Sequence, residues 1–414
     1  MAGTDVAGAE KELRWPRSTP GRIAVLALVA VVCGVFLEVI PGRRGWFDVN
    51  IYYETVRSWQ HGGRIYDYLR PGTGYGFTYP PFAAVCLAPL GLVGWHAALA
   101  IDLAATVLAG AAVLYWLVDP IARRRGWNRW YGFGLVGCLF AVLNPVRDTF
   151  SFGQINLMLM FLVFCDYRNL RRGSRFTGIG IGLATAIKLT PALFIAYLLV
   201  TRRRRETLTA LGTLLGAVLV GFVAMPQQSR FFWTDALWNT DRIGSIPYIS
   251  NQSLLGFTAR VLPQAAEKPV WLVLTAAVLA CWARRSRRAA AIGDQRAGFA
   301  LTGLTCCLVS PITWVHHLVW MLPALLVLAD AGLSSTDRAR RRRLLAATAG
   351  IWVLLVSGLV WLWRYHWDGV GGLLGGNSYV LVALALLPGM PIGEGAERGL
   401  TPAQEAAAPA PARV

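Results

Sequence analysis

Charged residues are scarce in this chain of 414 residues, of which 15% are charged and 55% hydrophobic. A soluble protein of this length needs more polar surface, so a soluble globular class is excluded. The hydrophobic residues form unbroken runs of roughly 17–25 residues rather than alternating with polar ones, which excludes a β-barrel. We therefore predict an all-α polytopic membrane protein, with about ten to twelve transmembrane or re-entrant helices.

Acidic residues are fewer than basic ones, 22 against 40, and the formal net charge is +18. The arginines cluster between hydrophobic runs, as in Arg123–Arg125, Arg202–Arg205, Arg284–Arg288 and Arg338–Arg343. This pattern is typical of cytoplasmic loops and not of a nucleic-acid-binding face. We expect membrane lipids as partners and no nucleic acid.

The seven cysteines form no CxxC pair and no cluster with zinc-ligand spacing. Nearly all lie inside apolar runs, where cysteine behaves as a small apolar residue. The sequence also has no DxD motif and no carboxylate cluster. We therefore expect neither a disulfide framework nor a metal or other cofactor.

Three regions are predicted. Residues 1–22 are polar and basic and are expected to be disordered in the cytoplasm, like the Ala- and Pro-rich residues 390–414. Residues 23–389 form the membrane domain, located in the plasma membrane with both termini cytoplasmic. The first run, Ile23–Ile40, lacks an A-x-A-like cleavage site, which favours an uncleaved signal-anchor.

The loop 41–80 follows this first run and is predicted to be extracytoplasmic. Its segment Phe47–Gln60 has apolar and aromatic residues at helical spacing, which indicates an amphipathic helix on the membrane surface. Asp48 lies between Phe47 and Val49, and such neighbours would raise the pKa of its carboxyl, as suits a general base. The alternative is that Asp48 caps the helix.

Two apolar stretches, Thr177–Val200 and Phe299–Asp330, have basic clusters at both ends. Each must enter and leave the membrane on one side, so each is predicted to be a pair of short helices around a turn. Lys188 lies in the first turn, and His316 and His317 lie at the second. Buried ionisable groups of this kind are typically functional, although Lys188 reaching the surface and structural hydrogen bonds for the histidines are the alternatives.

Further polar residues lie near predicted outer turns. The turn Asn144–Gln154 is expected to be exposed, and its polar set is a candidate phosphate or sugar site, with closing of the loop as the alternative. Two polar residues of the second outer loop are expected to line a pocket. Asp102, within a membrane run, is expected to pair with a cation. The polar set of the first turn is Arg147, Asp148, Gln154 and Asn156. The two residues of the second outer loop are Asn251 and Gln252.

Six segments occur in a distinctive order: FDVNIYYE, FTYPPFAA, FGQINLML, AIKLTPAL, NQSLLG and SPITWVHHLVWMLP. Together they resemble the actinobacterial polyprenol-phosphate-mannose-dependent α-mannosyltransferases of glycosyltransferase family 87, which have the GT-C membrane fold. The resemblance spans Ile23 to Leu387. It implies a catalytic Asp in the first outer loop, matched here by Asp48, and a role for one histidine of the pair.

The resemblance implies an inverting transfer of mannose from polyprenyl-phosphate mannose to a glycolipid or lipoglycan acceptor, in α-1,2 linkage, at the extracytoplasmic face. Asp48 would be the base, and Lys188, Arg147 and His316 or His317 would neutralise the leaving phosphate. Tyr52, Tyr53 and Tyr79 are candidates for stacking on the acceptor sugar. The alternatives are a polyprenyl-phosphate-arabinofuranose-dependent arabinosyltransferase, a lipid-linked sugar transporter or flippase, and a noncatalytic scaffold.

Overall fold

The computed structural model describes residues 18–40, 42, 44–239, 242–366 and 368–393. Residues 1–17 and 394–414, which make up most of the two predicted disordered ends, lie outside the described residues. The described residues form an all-α protein, as predicted. Its α-helices are α1 Thr19–Val39, α2 Phe47–Gln60, α3 Pro81–Leu87, α4 Trp95–Arg124, α5 Arg129–Ala141, α6 Asn144–Phe152, α7 Asn156–Arg171, α8 Ile179–Ile187, α9 Ala192–Val200, α10 Arg204–Ala224, α11 Pro226–Phe231, α12 Leu254–Val261, α13 Gln264–Ala291, α14 Gln295–Val309, α15 Met321–Ser334, α16 Arg338–Ser357, α17 Gly369–Leu374 and α18 Ser378–Gly389.

Five helical segments among the described residues are long and apolar enough to cross a membrane. They are α1, α4, α10, α13 and the continuous stretch Val315–Ser334, while α5 and α6 together form a further apolar pair bent by 74°. The first helix begins at Thr19, within the stretch predicted to be disordered, because the Ser18 side chain caps it by accepting from Gly21 N–H at 3.3 Å.

The predicted amphipathic helix is present as α2, with the bounds expected from its spacing. Trp46 precedes it in the left-handed conformation with φ +49°, and its N–H donates to the Ser151 carbonyl at 2.9 Å. The start of α2 is therefore fixed against the end of α6. Asp48 lies inside the first turn and makes no capping hydrogen bond, so the alternative of a helix cap is wrong.

Both predicted helix breaks are present, but only the first pair consists of short helices, since Val315–Ser334 of the second is long enough to cross a membrane. The first consists of α8 and α9, which are separated by an extended Lys188 with φ −149° and ψ 126°. The second consists of α14, a turn at 310–314, a 3₁₀ segment at Val315–Trp320, and α15. Pro191 and Pro311 fall in these turns, where proline cannot continue the preceding helix.

Glycines let the first pair pack closely. A Cβ on Gly180 would overlap the Leu162 carbonyl oxygen of α7, and one on Gly182 would lie 2.6 Å from the Ala210 carbonyl oxygen of α10. Only hydrogen at these positions allows backbone to approach backbone. The α8 helix is thus held between α7 and α10, which fixes the position of Lys188 at its C-terminal end.

The prediction that Asn144–Gln154 is an exposed turn is wrong. This segment is mostly the helix α6, which begins with proline in its first turn and ends at Gly153 with φ +67°. Its residues Asn144, Val146, Asp148 and Thr149 are buried. The helix packs against the 3₁₀ segment Val315–Trp320, and Thr149 Oγ1 donates to the His316 carbonyl at 3.3 Å. The sequence alone does not predict this short polar helix as buried, because the surface that covers it is distant in sequence.

Candidate active site

A cavity of about 640 Å³ lies where α2, the end of the first loop and the two broken-helix turns meet. The predicted site residues that line it are Asp48, Tyr79, Gln154, Lys188, His316 and His317. They come from five separate stretches of the chain. The structure therefore brings together, around one cavity, six of the thirteen candidate site residues that the sequence indicates.

Asp48 is the one carboxylate that lines this cavity among the residues the structure describes. Burial raises the pKa of the Asp48 carboxyl to about 6, because the loss of hydration outweighs the opposing effects of the hydrogen bond from Gln154, of Lys188 and of Arg70. A carboxyl with this pKa is ionised at neutral pH and is a stronger base than an exposed aspartate. Its placement and its chemistry suit proton abstraction.

A hydrogen-bonded path connects Asp48 to Lys188. The Gln154 side chain bonds to the Asp48 carboxylate, and Gln154 Oε1 accepts from the Tyr79 hydroxyl at 3.1 Å. Tyr79 in turn lies 3.1 Å from Lys188 Nζ and 2.9 Å from the Tyr52 hydroxyl. Gln154 and Tyr79 therefore orient the carboxylate, in addition to lining the cavity.

Lys188 is buried, with 8% of its surface exposed. Its Nζ lies 3.1 Å from Asn156 Oδ1 and 3.0 Å from His317 Nε2. The Asn156 amide is oriented by its Nδ2, which donates to the His316 carbonyl at 3.1 Å. The alternative that Lys188 extends to the surface is wrong, because its amine is enclosed by these partners.

The two histidines differ in what they contact. His317 Nδ1 accepts from the Trp314 backbone N–H at 3.2 Å, and its Nε2 faces Lys188. His316 lines the cavity, and its buried Nε2 has no hydrogen-bond partner among the described residues. His316 is thus the member of the pair with a ring nitrogen available to a ligand, a distinction that the sequence left open.

Three arginines that the sequence motifs do not indicate also line the cavity: Arg44, Arg242 and Arg364. Arg44 lies over the Trp361 ring at 4.6 Å and forms an ion pair with Asp148 at 3.7 Å. A wall with several cations and one carboxylate can hold an anionic group beside a base. Because arginines normally lie in cytoplasmic loops, an arginine in a predicted outer loop is unusual. Its unusual position is the sequence signal that could have identified these three cavity residues.

Comparison with known proteins finds matches over most of this chain. The model of glycosyltransferase family 87 matches residues 77–311, more than half of the chain. A polyprenol-phosphate-mannose-dependent alpha-(1-2)-phosphatidylinositol mannoside mannosyltransferase of Mycolicibacterium smegmatis is 32% identical over 392 residues, 88% of this chain and 87% of the relative. The protein of the same description from Mycobacterium tuberculosis is 32% identical over 401 residues, 89% of this chain and 90% of the relative.

The chain belongs to glycosyltransferase family 87. A further relative in Mycobacterium tuberculosis, described as acting on phosphatidylinositol pentamannoside, is 30% identical over 402 residues, 92% of this chain and 89% of the relative. The prediction of a membrane glycosyltransferase is thereby confirmed. The residues matched by the family model stop short of Asp48 and the histidine pair, so the roles of these three depend on the geometry described above.

Several sequence-assigned residues of this glycosyltransferase do not line the cavity. Arg147 donates to the Val356 carbonyl at 2.8 Å and lies over the Phe36 ring, while Asp148 pairs with Arg44. Asp148 therefore contributes indirectly, by holding a lining arginine. Arg147 instead joins α6 to α16, and its predicted contact with substrate phosphate is not supported.

Asn251 and Gln252 are fully buried and also lie outside the cavity lining, so the expectation that they line a pocket is wrong. Asn251 Oδ1 accepts from the Thr313 N–H at 2.9 Å, and Asn251 Nδ2 donates to the Pro311 carbonyl at 3.2 Å. Gln252 donates to the Gly376 carbonyl at 2.8 Å. The Asn251 side chain therefore holds the second broken-helix turn in place, while the Gln252 side chain joins the second outer loop to the start of α18, where its Oε1 accepts from the Val380 N–H at 3.2 Å.

The three tyrosines predicted to stack on the acceptor sugar differ in their positions relative to the cavity. Tyr79 lines the cavity, whereas Tyr52 and Tyr53 do not. The Tyr53 hydroxyl donates to the Val93 carbonyl at 3.2 Å, away from the cavity. Other aromatic residues provide the cavity surface instead: Phe47, Tyr75, Phe77, Phe152, Phe232, Tyr248, Trp314 and Trp361.

Asp102 pairs with no cation among the residues that the structure describes, contrary to expectation. Its carboxyl is 2% exposed, and Oδ2 has no hydrogen-bond partner among the described residues. It lies beside the turn at Gly153, where an added Cβ would be 3.4 Å from Oδ2, and it interacts electrostatically with Asp48. The first loop itself offers Asp48 no acidic partner, but α4 brings one close.

Proposed function

We propose that this glycosyltransferase transfers mannose from polyprenyl-phosphate mannose to a phosphatidylinositol mannoside or a related lipoglycan. The transfer takes place at the extracytoplasmic face of the plasma membrane, inverts the anomeric centre and forms an α-1,2 linkage. The donor and acceptor follow from the names of the relatives, which cover nearly the whole chain. The enzyme needs no metal or other cofactor.

The observation that carries the proposal is the placement of Asp48. Among the described residues it is the only acid facing a cavity whose basic side chains are Arg44, Lys188, Arg242 and Arg364. A reaction that needs one base and releases a phosphate anion requires this balance of charge. A second carboxylic acid is not required, because a phosphate leaves without protonation.

In the proposed mechanism, Asp48 accepts the proton of the acceptor hydroxyl as that oxygen attacks the anomeric carbon. The bond from this carbon to the phosphate oxygen breaks, and its electron pair stays on the phosphate. Attack from the side opposite the phosphate converts a β-linked donor into an α product. Lys188 and the His316 Nε2 position are the groups placed to stabilise the negative charge that builds on the leaving phosphate.

The aromatic surface supports a sugar acceptor. Phe47 and Tyr75 stand edge to face with ring centroids 6.1 Å apart, and Trp361 lies under the Arg44 guanidinium. The apolar faces of sugar rings pack against aromatic rings, while their hydroxyls need polar partners at the rim. A cavity of about 640 Å³ is large enough for a sugar and the phosphate end of the lipid donor.

The proposal is tested with the purified protein in proteoliposomes. Labelled polyprenyl-phosphate mannose and phosphatidylinositol mannosides are supplied together, and the lipid product is analysed for its linkage and anomeric configuration. We expect acceptor-dependent formation of an α-1,2-mannosyl product. In parallel, polyprenyl-phosphate arabinofuranose is offered as the donor.

Transfer of arabinose in place of mannose would overturn the proposed donor. Movement of the intact donor across the bilayer without any transfer would favour the transporter alternative. A mannosylated product with another linkage would leave the donor in place and overturn the α-1,2 assignment.

A further inference from the structure

Lys188 Nζ has three polar neighbours, and each of them can be assigned as a hydrogen-bond donor or acceptor. Tyr79 Oη and Asn156 Oδ1 both accept, since the Tyr79 hydrogen is donated to Gln154 and the Asn156 amide is fixed by its bond to the His316 carbonyl. The third neighbour, His317 Nε2, lies 3.0 Å away. Whether this nitrogen donates or accepts decides which form of the lysine fits.

His317 is fixed by its other ring nitrogen. Its Nδ1 accepts the Trp314 backbone N–H at 3.2 Å, so Nδ1 carries no hydrogen. A neutral imidazole must then carry its hydrogen on Nε2, which donates toward Lys188. An ammonium group has no lone pair to receive this bond, whereas an uncharged amine has one lone pair and two N–H groups.

We infer that Lys188 is an uncharged amine as placed in the structure and takes up a proton when the phosphate of the donor binds. This inference rests on the proposed function. The two N–H groups of the amine match Tyr79 and Asn156, and its lone pair matches His317 Nε2–H. If Lys188 were charged, its N–H would face the N–H of His317 Nε2. If the His317 hydrogen moved to Nδ1 instead, that N–H would face the Trp314 backbone N–H.

The surroundings of Lys188 agree with an uncharged amine. Burial of an unpaired ammonium is costly, and no carboxylate forms a salt bridge to Lys188 among the described residues. The other titratable groups that face it are Asp48 on α2, Cys307 on α14, and Tyr79, His316 and His317. Cys307 Sγ lies 3.5 Å from the His317 carbonyl, as a neutral thiol donor does.

Phosphate binding changes this balance. A phosphodiester brings a permanent negative charge, which stabilises an ammonium beside it. Lys188 then accepts a proton from solvent, and its third N–H donates to a phosphate oxygen. The His317 Nε2–H, released from the lone pair, turns to the same anion. Lys188 is thus positively charged when the donor is bound and uncharged when the site is empty.

The test is isothermal titration of polyprenyl-phosphate mannose into the full-length protein, at mildly alkaline pH, in buffers with different ionisation enthalpies. The donor is a phosphodiester and does not itself titrate in this range. The experiment uses Asp48→Asn, which prevents turnover and removes the Asp48 proton from the count. We expect uptake of about one proton for each donor bound.

Two variants in the Asp48→Asn background provide the controls. Lys188→Arg has a permanent charge and is expected to bind the donor without proton uptake. Lys188→Met has no charge and is expected to bind weakly, also without uptake. Donor binding without uptake in Asp48→Asn alone, or equal uptake after Lys188→Arg, would overturn the inference. Absence of donor binding to any form, wild type included, would instead refute the proposed function on which it rests.

Discussion

Tyr79 donates its hydroxyl hydrogen to Gln154 Oε1 at 3.1 Å, and this contact joins the two halves of the site. On one side, the Gln154 amide holds the Asp48 carboxylate. On the other side, Tyr79 accepts from Lys188. The proposed base and the proposed phosphate ligand are therefore positioned by one set of bonds, and a change in the middle should affect both.

The pH dependence of the transfer follows from Asp48. Its carboxyl must be ionised to accept a proton, and burial raises its pKa to about 6. We therefore expect kcat/KM to fall about tenfold per unit below pH 6, where Asp48 becomes protonated, and to fall again above neutral pH, where donor binding requires Lys188 to take up a proton. The measurement is the rate at limiting donor across this range. An acid limb near pH 4, typical of an exposed aspartate, would show that the base is another group.

Gln154→Met tests the positioning role of the amide. The hydrogen bond from Gln154 lowers the pKa of Asp48, so its removal should raise this pKa. We expect the acid limb to move up by about one pH unit, which is the worth of a hydrogen bond to a charged group. Tyr53→Phe is the matched control, because its hydroxyl points away from the cavity and the limb should not move. An unchanged limb in Gln154→Met would contradict the assignment.

Arg44 and Arg147 form a matched pair of arginines near the site, and only Arg44 lines the cavity. Arg44→Gln should raise the KM for the donor by about tenfold or more, since it removes a charge-assisted contact with an anion. Arg147→Gln should leave the KM per folded enzyme near the wild-type value, because Arg147 contacts the Val356 carbonyl and the Phe36 ring. The reverse order of effects would place the phosphate on the α6 side.

Close packing of α8 predicts the effect of a small substitution. Gly180→Ala would press a methyl group onto the Leu162 carbonyl, with an expected loss of about 1–3 kcal/mol in stability. Gly212→Ala in α10 has nothing within 4 Å of the added carbon and should be neutral or stabilising by up to about 1 kcal/mol. Thermal unfolding in detergent compares the two variants. Equal melting temperatures would mean that α7 and α8 are not in backbone contact.

The sequence predicts those features that depend on local pattern. Helical spacing places α2 at its observed bounds, and charge at both ends of an apolar stretch predicts the broken pairs around Lys188 and around His316 and His317. The candidate site follows for the same reason, because both turns and α2 are expected on one face. The family and the candidate roles of Asp48 and of the histidine pair come from the six sequence segments, which resemble glycosyltransferase family 87 in their order.

Features that depend on distant neighbours were not predictable. The α6 helix looks like an exposed loop until the 3₁₀ segment Val315–Trp320 covers it. Asn251 and Gln252 look like pocket residues, but their partners are backbone groups at Pro311, Thr313 and Gly376. The sequence pattern indicates Arg147 as a phosphate ligand and gives no such role to Arg44, but in the folded protein Arg44 is the one that faces the cavity.

The most direct test of the central claim compares wild type with Asp48→Asn at equal amounts of folded protein. Mannosyl transfer and donor binding are measured in the same membranes. Asp67→Asn is the matched control, because Asp67 is an exposed carboxylate in the same loop. We expect Asp48→Asn to lose transfer by a factor of about 10²–10⁴ while it still binds the donor, and Asp67→Asn to remain active. Undiminished transfer by Asp48→Asn would contradict its role as the base.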